Sequence, residues 1–309
     1  MNHPIVIVGG GAGGLELACK LGRQLGPERV TLVDRQLFHI WKPSLHEVAA
    51  GTLDIHQEGL SYEMLAHDNR FTFCLGAMTA LDSAGQAITV APVLDEHGEE
   101  LVPARTLPFD DLVIAVGSTA NHFNVPGAAE HTLSLNRPAD AEHFRLRMLK
   151  LLTAAELRKS AGSAAQVRTV IIGGGATGVE LAAELREASQ VHTRYGFRRL
   201  DGLRDVQLTL IEGADRILAP LPERVSASAT ALLRERAVNV VTSCRVAGVA
   251  ADAVTDTEGR RFPADLVVWA AGIKAPALLG EQGLPVTRSG QVGVEPDLRV
   301  KGQEAIHAL

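Results

Sequence analysis

The chain is poor in the residues that thiol, metal and nucleic-acid chemistry require. It has only three cysteines, Cys19, Cys74 and Cys244, too far apart for C-x-x-C or any other close pair. That spacing excludes a local redox dithiol and a zinc knuckle, and leaves three small buried hydrophobes as the expected role. An odd thiol count without a disulfide framework points to a reducing compartment. Met1 is followed almost at once by an apolar strand, with no room for a charged leader, so a cytoplasmic location is expected. No window approaches about 18 consecutive apolar residues, the length that a bilayer span needs. Basic residues number 30 against 36 acidic, for a net charge of −6, which gives no footprint for a phosphate polymer and argues against nucleic acid as a partner. Aromatics are scarce at 4%. The eleven histidines show no i, i+4 metal-ligand pairing, and His39, His46, His122 and His131 read as loop residues or neighbours of Pro and Gly, so no metal site is expected.

Glycine, by contrast, is plentiful at 30 residues, in a composition that is otherwise ordinary for a globular protein: 46% hydrophobic and 21% charged. A length of 309 residues exceeds what one core usually fills, so two domains are expected. The glycines show how they arise. Residues 6–21 (VIVGGGAGGLELACKL) and 170–185 (VIIGGGATGVELAAEL) are identical at eleven of sixteen positions, at an offset of 164 (173 minus 9). That distance is far beyond a solenoid period and marks a duplicated unit. Each copy begins with a β-branched run, turns on glycines and continues with apolar residues at helical spacing, the start of a βαβ unit.

Both copies continue in the same way. A buried strand at 30–33 ends at Asp34, and another at 208–211 ends at Glu212. Two dinucleotide sites follow. Gly9 and Gly11 bring backbone N–H groups to a diphosphate and Gly14 lets the helix approach its strand, with Gly173, Gly175 and Gly178 repeating the pattern. Asp34 and Glu212 would accept hydrogen bonds from a ribose, which at the second site favours NADH over NADPH. Arg216, four residues after Glu212, is placed to soften that preference. Spacing alone does not assign the two cofactors to the two sites.

Other segments complete the outline. Residues 109–117 (FDDLVIAVG) read as a strand closing on a glycine turn, and 262–272 (FPADLVVWAAG) as its counterpart. Residues 121–126 read as a crossover, and 138–160 as a helix leading into the second unit. Residues 275–309 have no complete fold of their own and are expected to return to the first domain.

These motifs resemble the two-dinucleotide-binding-domain flavoproteins, and among them the type II, non-proton-pumping NADH:quinone oxidoreductases, along essentially the whole chain. Four more stretches carry the likeness: 38–53 (FHIWKPSLHEVAAGTL), 112–118 (LVIAVGS), 124–127 (NVPG) with Glu130 and His131, and 269–274 (WAAGIK). The resemblance implies an α/β fold of two Rossmann-like domains of the glutathione-reductase type, with the NAD domain inserted into a discontinuous FAD domain. Boundaries of 1–122 with 275–309 for FAD, and 123–274 for NADH, are expected. It implies FAD on Gly9, Gly11, Gly13, Gly14, Asp34, Arg35, Met78 and Gly117, and NADH on Gly173, Gly175, Gly178, Glu212 and Gly272. Dithiol-dependent relatives carry a C-x4-C pair where this chain has Trp41, Lys42, Pro43, Ser44 and His46, so a thiol relay is not expected.

Glu180 is the expected catalytic residue, since the resemblance places a glutamate there beside nicotinamide and flavin. Its twin Glu16 shows that the motif also uses Glu structurally, and a carboxylate expected in the first helical turn is favoured by the helix N-terminus alone. His46 is a candidate proton relay, with a structural role as the alternative. The implied reaction passes a hydride from nicotinamide C4 of NADH to flavin N5 and two electrons onward to a quinone. A ferredoxin-like protein or dioxygen as acceptor, or a non-catalytic nucleotide-binding remnant, stay open. Family members continue past the point where this sequence stops, at EAIHAL (304–309), so a shortened chain is expected. The later quinone-pocket elements and the segment for peripheral membrane contact, at the cytoplasmic face, would lie beyond it. A homodimer is among the expected assemblies.

Overall fold

The computed structural model describes residues 3–309 and divides them into two compact units. The first comprises residues up to Trp41, then Glu58–Thr119 and Lys274–Leu309; the second comprises Lys42–Gln57 and Ala120–Ile273. The expected boundaries at 122/123 and 274/275 lie close to these breaks, but Lys42–Gln57 groups with the second unit, which local sequence did not indicate. The physical reason is a helix, Leu45–Ala50, that buries Leu45, Val48, Ala49 and Ala50 against the helices Pro138–Ser160 and Ala176–Tyr195.

The first unit is built on a five-stranded parallel sheet in the order Ile306–Ala308, Asp111–Ile114, Ile5–Val8, Val30–Asp34, Thr72–Leu75. Its strands read as short β-branched runs because both faces are covered. The helix Ala12–Leu25 lays Gly14, Leu15, Ala18, Cys19 and Gly22 on one such face, a three-to-four-residue stripe. It stops at Gly26, whose φ of 89° suits glycine. An antiparallel sheet of Met78–Asp82, Ala87–Val90 and Arg105–Pro108 contributes Met78, Ile88 and Val90 to a core shared with Val6, Leu112 and Ile306.

The second unit repeats the plan with four parallel strands ordered Val238–Val241, Val206–Ile211, Val167–Ile172, Leu266–Trp269. A meander of Val246–Ala250, Ala253–Asp256 and Arg261–Pro263 packs Val249 and Val254 with Val170, Ile172 and Trp269. Residues 262–272 are therefore not one strand: Pro263 ends the meander and Leu266 opens the parallel strand. The helix Pro138–Ser160 starts as its sequence suggests, with proline at the first position and the Asp140 carboxylate accepting the Arg137 N–H at 3.0 Å. Its buried residues, Ala141, Phe144, Met148, Leu152 and Ala155, recur every three or four positions.

Candidate functional site: two glycine cradles

Each parallel sheet carries a glycine turn at its carboxyl edge, and the two turns match almost atom for atom. Gly9 N–H donates to the Val33 carbonyl at 2.8 Å, and Gly173 N–H to the Ile211 carbonyl at 2.8 Å. Both glycines hold positive φ, 106° and 114°. Both also abut backbone: a Cβ on Gly9 would lie 2.3 Å from the Ala115 carbonyl oxygen, and one on Gly173 2.6 Å from the Ala271 nitrogen. The third glycine of each turn is equally constrained, since a Cβ on Gly14 or Gly178 would stand 1.9 Å from the carbonyl oxygen of Gly9 or Gly173.

The middle glycine differs. Nothing lies within 4 Å of a Cβ built on Gly11 or on Gly175. Folding does not require glycine there, but a group arriving from outside would. Both residues stand at helix N-caps without a side-chain cap, so the first N–H groups of Ala12–Leu25 and Ala176–Tyr195 are available to an anion. The empty space and the unsatisfied donors fit the diphosphate of a dinucleotide at each turn. Gly13, in the first turn of its helix, is exposed.

The two acids stand at the end of the second parallel strand of each unit and brace the glycine turns. Asp34 accepts the N–H groups of Gly10 at 2.6 Å and Gln36 at 2.8 Å, one on each oxygen. Glu212 accepts those of Gly174 at 2.6 Å and Ala214 at 2.7 Å. Each carboxylate is thereby oriented against its glycine turn and keeps lone pairs for a ligand. Arg216 does not face this acid: its guanidinium donates to the carbonyls of Leu221 at 2.9 Å and Ala219 at 2.5 Å.

Two residues that sequence reading missed hold the first turn. The Gly10 carbonyl accepts the Tyr62 hydroxyl at 2.6 Å, and His39 Nδ1 lies 3.0 Å from the same oxygen. A carbonyl only accepts, so a hydrogen bond between them requires the proton on His39 Nδ1. Tyr62 is buried and stacks on Phe73, with ring centroids 5.1 Å apart. Burial, with the nearby Asp34 charge, pushes its phenol pKa well above the ordinary value. In the second turn the Gly174 carbonyl is held by the Leu218 N–H at 2.7 Å. No local motif announces Tyr62, which lies 52 residues from Gly10.

The remaining expected residues fall as follows. Arg35 is exposed directly after Asp34. Met78 is buried in the first core. Gly117 and Gly272, with φ of 68° and 73°, turn the chain after the strands next to Ile5–Val8 and Val167–Ile172. Glu180 is the fifth residue of its helix, and the first turn contains no acid, so the expected helix-terminus argument does not apply to it. Its side chain is half exposed, and His46 Nδ1 stands 3.8 Å from its Oε2. His46 is helical, not in a loop, and its Nδ1 lies 2.7 Å from the Pro43 carbonyl oxygen. One turn beyond Glu180, Glu184 accepts the Thr52 hydroxyl at 2.6 Å. These contacts fasten Lys42–Gln57 to the helix that starts at the second cradle.

All three cysteines are free and buried. Among the described residues there is no cluster of three or more His, Cys, Asp or Glu suited to a metal, and no helix long and apolar enough to cross a membrane.

Two Rossmann cradles in one chain, each with its own acid, define a protein built to hold two dinucleotides. The chain belongs to the pyridine nucleotide-disulphide oxidoreductase family, whose profile matches residues 3–309, and within it to the type II NADH:quinone oxidoreductases. It is 36% identical to the type II NADH:quinone oxidoreductase of Haemophilus influenzae, over 99% of this chain and 72% of that protein. It is 29% identical to Ndh of Mycobacterium tuberculosis, over 97% of this chain and 65% of the relative. The fold matches that of NDH2 from Plasmodium falciparum, solved in complex with NADH, at a TM-score of 0.85 and 21% identity, over 100% of this chain and 64% of the other. The chain thus spans about two thirds to three quarters of the length of these two curated relatives.

Proposed function

We propose that this chain is the nucleotide-binding core of a flavin-dependent NADH:quinone oxidoreductase. The observation that carries the reading is the matched pair of cradles, each leaving open space at its middle glycine. By family resemblance, FAD is held at Gly9, Gly11, Gly13, Gly14, Asp34, Arg35, Met78 and Gly117. NADH is held at Gly173, Gly175, Gly178, Glu212 and Gly272. FAD, when bound, supplies the flavin that takes a hydride from NADH and returns two electrons to a quinone.

The protein's own contribution is placement. Helix-start N–H groups hold each diphosphate, and the two carboxylates fix the riboses. Glu212 would repel a 2′-phosphate by about 1 kcal/mol at ~4 Å in water-like surroundings, and by more where water is excluded. Arg216 is engaged by its own loop carbonyls instead of facing that position, which supports NADH over NADPH. Glu180, with His46 beside it, is the residue proposed to serve the chemical step. Quinone reduction also requires protons, which this pair of side chains can hold.

The visible spectrum of the purified protein tests the reading. A flavin spectrum bleached by NADH, followed by faster turnover with a soluble quinone than with ferricyanide or dioxygen, is expected. A colourless protein that still binds NADH overturns the enzyme and leaves a nucleotide-binding remnant.

A further inference from the structure

The turn at residues 122–125 is strained at two consecutive residues. The Val125 N–H donates to the His122 carbonyl at 2.9 Å, and both central residues have positive φ, 50° at Phe123 and 56° at Asn124. Asparagine tolerates that region; a bulky residue seldom enters it, because its Cβ crowds the backbone. Burial does not explain the choice, since Phe123 is 60% exposed.

The turn is nevertheless firmly built. The Asn121 side-chain oxygen accepts the Phe123 N–H at 3.0 Å, and the Asn121 N–H donates to the Gly272 carbonyl at 3.2 Å. The Trp269 indole N–H donates to the carbonyls of Asn121 at 2.8 Å and Ala271 at 2.7 Å, and the His122 ring meets the Trp269 ring edge-on. The result is an aromatic ring set directly against Gly272: a Cβ there would lie 2.4 Å from Phe123 Cζ. Strained backbone held by its surroundings is characteristic of ligand clamps.

Sheet order says which ligand part comes near. The strands that lead into Glu212, Gly173 and, three residues after Trp269, Gly272 are parallel and adjacent in that order. The three turns therefore lie in a row along one carboxyl edge. With the adenosine ribose at Glu212 and the diphosphate at Gly175, an extended dinucleotide points its second nucleoside at Gly272. We propose that Phe123 is the aromatic contact for the nicotinamide half of NADH, a residue that positions that ring; the proposal rests on the second cradle being the NADH site.

Calorimetric titration with NADH and with ADP-ribose, which lacks nicotinamide, tests it on the parent chain, Phe123→Ala and Phe123→Trp. In Phe123→Ala, NADH should bind more weakly by on the order of fivefold to tenfold, as an aromatic contact is worth. ADP-ribose should stay within about twofold of the parent, showing that the cradle is still folded, and Phe123→Trp should restore NADH binding. Equal weakening of both ligands, or unchanged NADH affinity, overturns the proposal. Failure of the parent chain to bind ADP-ribose overturns the cradle reading itself, and the proposal with it.

Discussion

The Glu212 carboxylate accepts the Gly174 N–H at 2.6 Å, so the acid that would read a ribose is braced by the same turn that would hold the diphosphate. Glu212→Ala leaves the Gly174 and Ala214 N–H groups without this acceptor and removes the ribose ligand. NADH affinity should fall by roughly tenfold or more, as expected for loss of a charge-assisted hydrogen bond. The preference over NADPH should narrow, which paired dissociation constants for the two nucleotides will show.

The roles of the third and the middle glycine of the second turn separate cleanly by mutation. Gly178→Ala forces a Cβ to within 1.9 Å of the Gly173 carbonyl oxygen and should lower stability by about 2 kcal/mol or more, seen as a drop in Tm. Gly175→Ala meets nothing within 4 Å and should leave Tm nearly unchanged while abolishing NADH binding. Equal effects of the two substitutions on Tm would remove Gly175 from the site.

Tyr62 links the first cradle to pH. Its folded pKa is raised by burial and by Asp34, above an unfolded value of about 10. The folded chain thus keeps a proton that the unfolded chain loses, so this stabilisation is intact below about pH 10 and declines as pH rises further. Tyr62→Phe should show a shallower alkaline loss of stability in denaturant titrations. At neutral pH it should cost about 1 kcal/mol for the lost bond to the Gly10 carbonyl, with weaker flavin retention.

Burial raises the thiol pKa of Cys19 and Cys74, and burial with the Asp256 carboxylate raises that of Cys244 to about 11. At neutral pH none offers much thiolate. Alkylation of the folded protein should be slow at all three and become complete on unfolding. NADH-linked turnover should survive exposure to a thiol reagent under native conditions.

Glu180→Gln keeps the shape and removes the charge facing His46. Turnover with NADH should fall at least about tenfold if the carboxylate serves proton transfer, with the flavin spectrum retained. Unchanged turnover would leave Glu180 only its helix-surface role.

Much of the fold could be read from the sequence because its signals are local. The duplicated strand, turn and helix lie within sixteen residues, the acids follow at the ends of the next strands, and the helix Pro138–Ser160 announces itself by proline and periodicity. Other features escaped for an equally physical reason. Lys42–Gln57 belongs with the second unit through contacts to helices about a hundred residues away, and a short apolar helix does not reveal which neighbour it covers. Glu180 reads as a first-turn residue until the observed start at Ala176 moves it to the second.

By itself, then, the sequence determined the pair of βαβ starts, because glycine, strand and acid must recur at short fixed spacings wherever a backbone turn is to meet a diphosphate. Only the tertiary structure decided what braces those turns. Tyr62 and His39 on the Gly10 carbonyl, Arg216 tied to its own loop, and Phe123 against Gly272 are meetings between distant or strained segments. Such meetings follow from how sheets and loops stack in space, which no local pattern encodes.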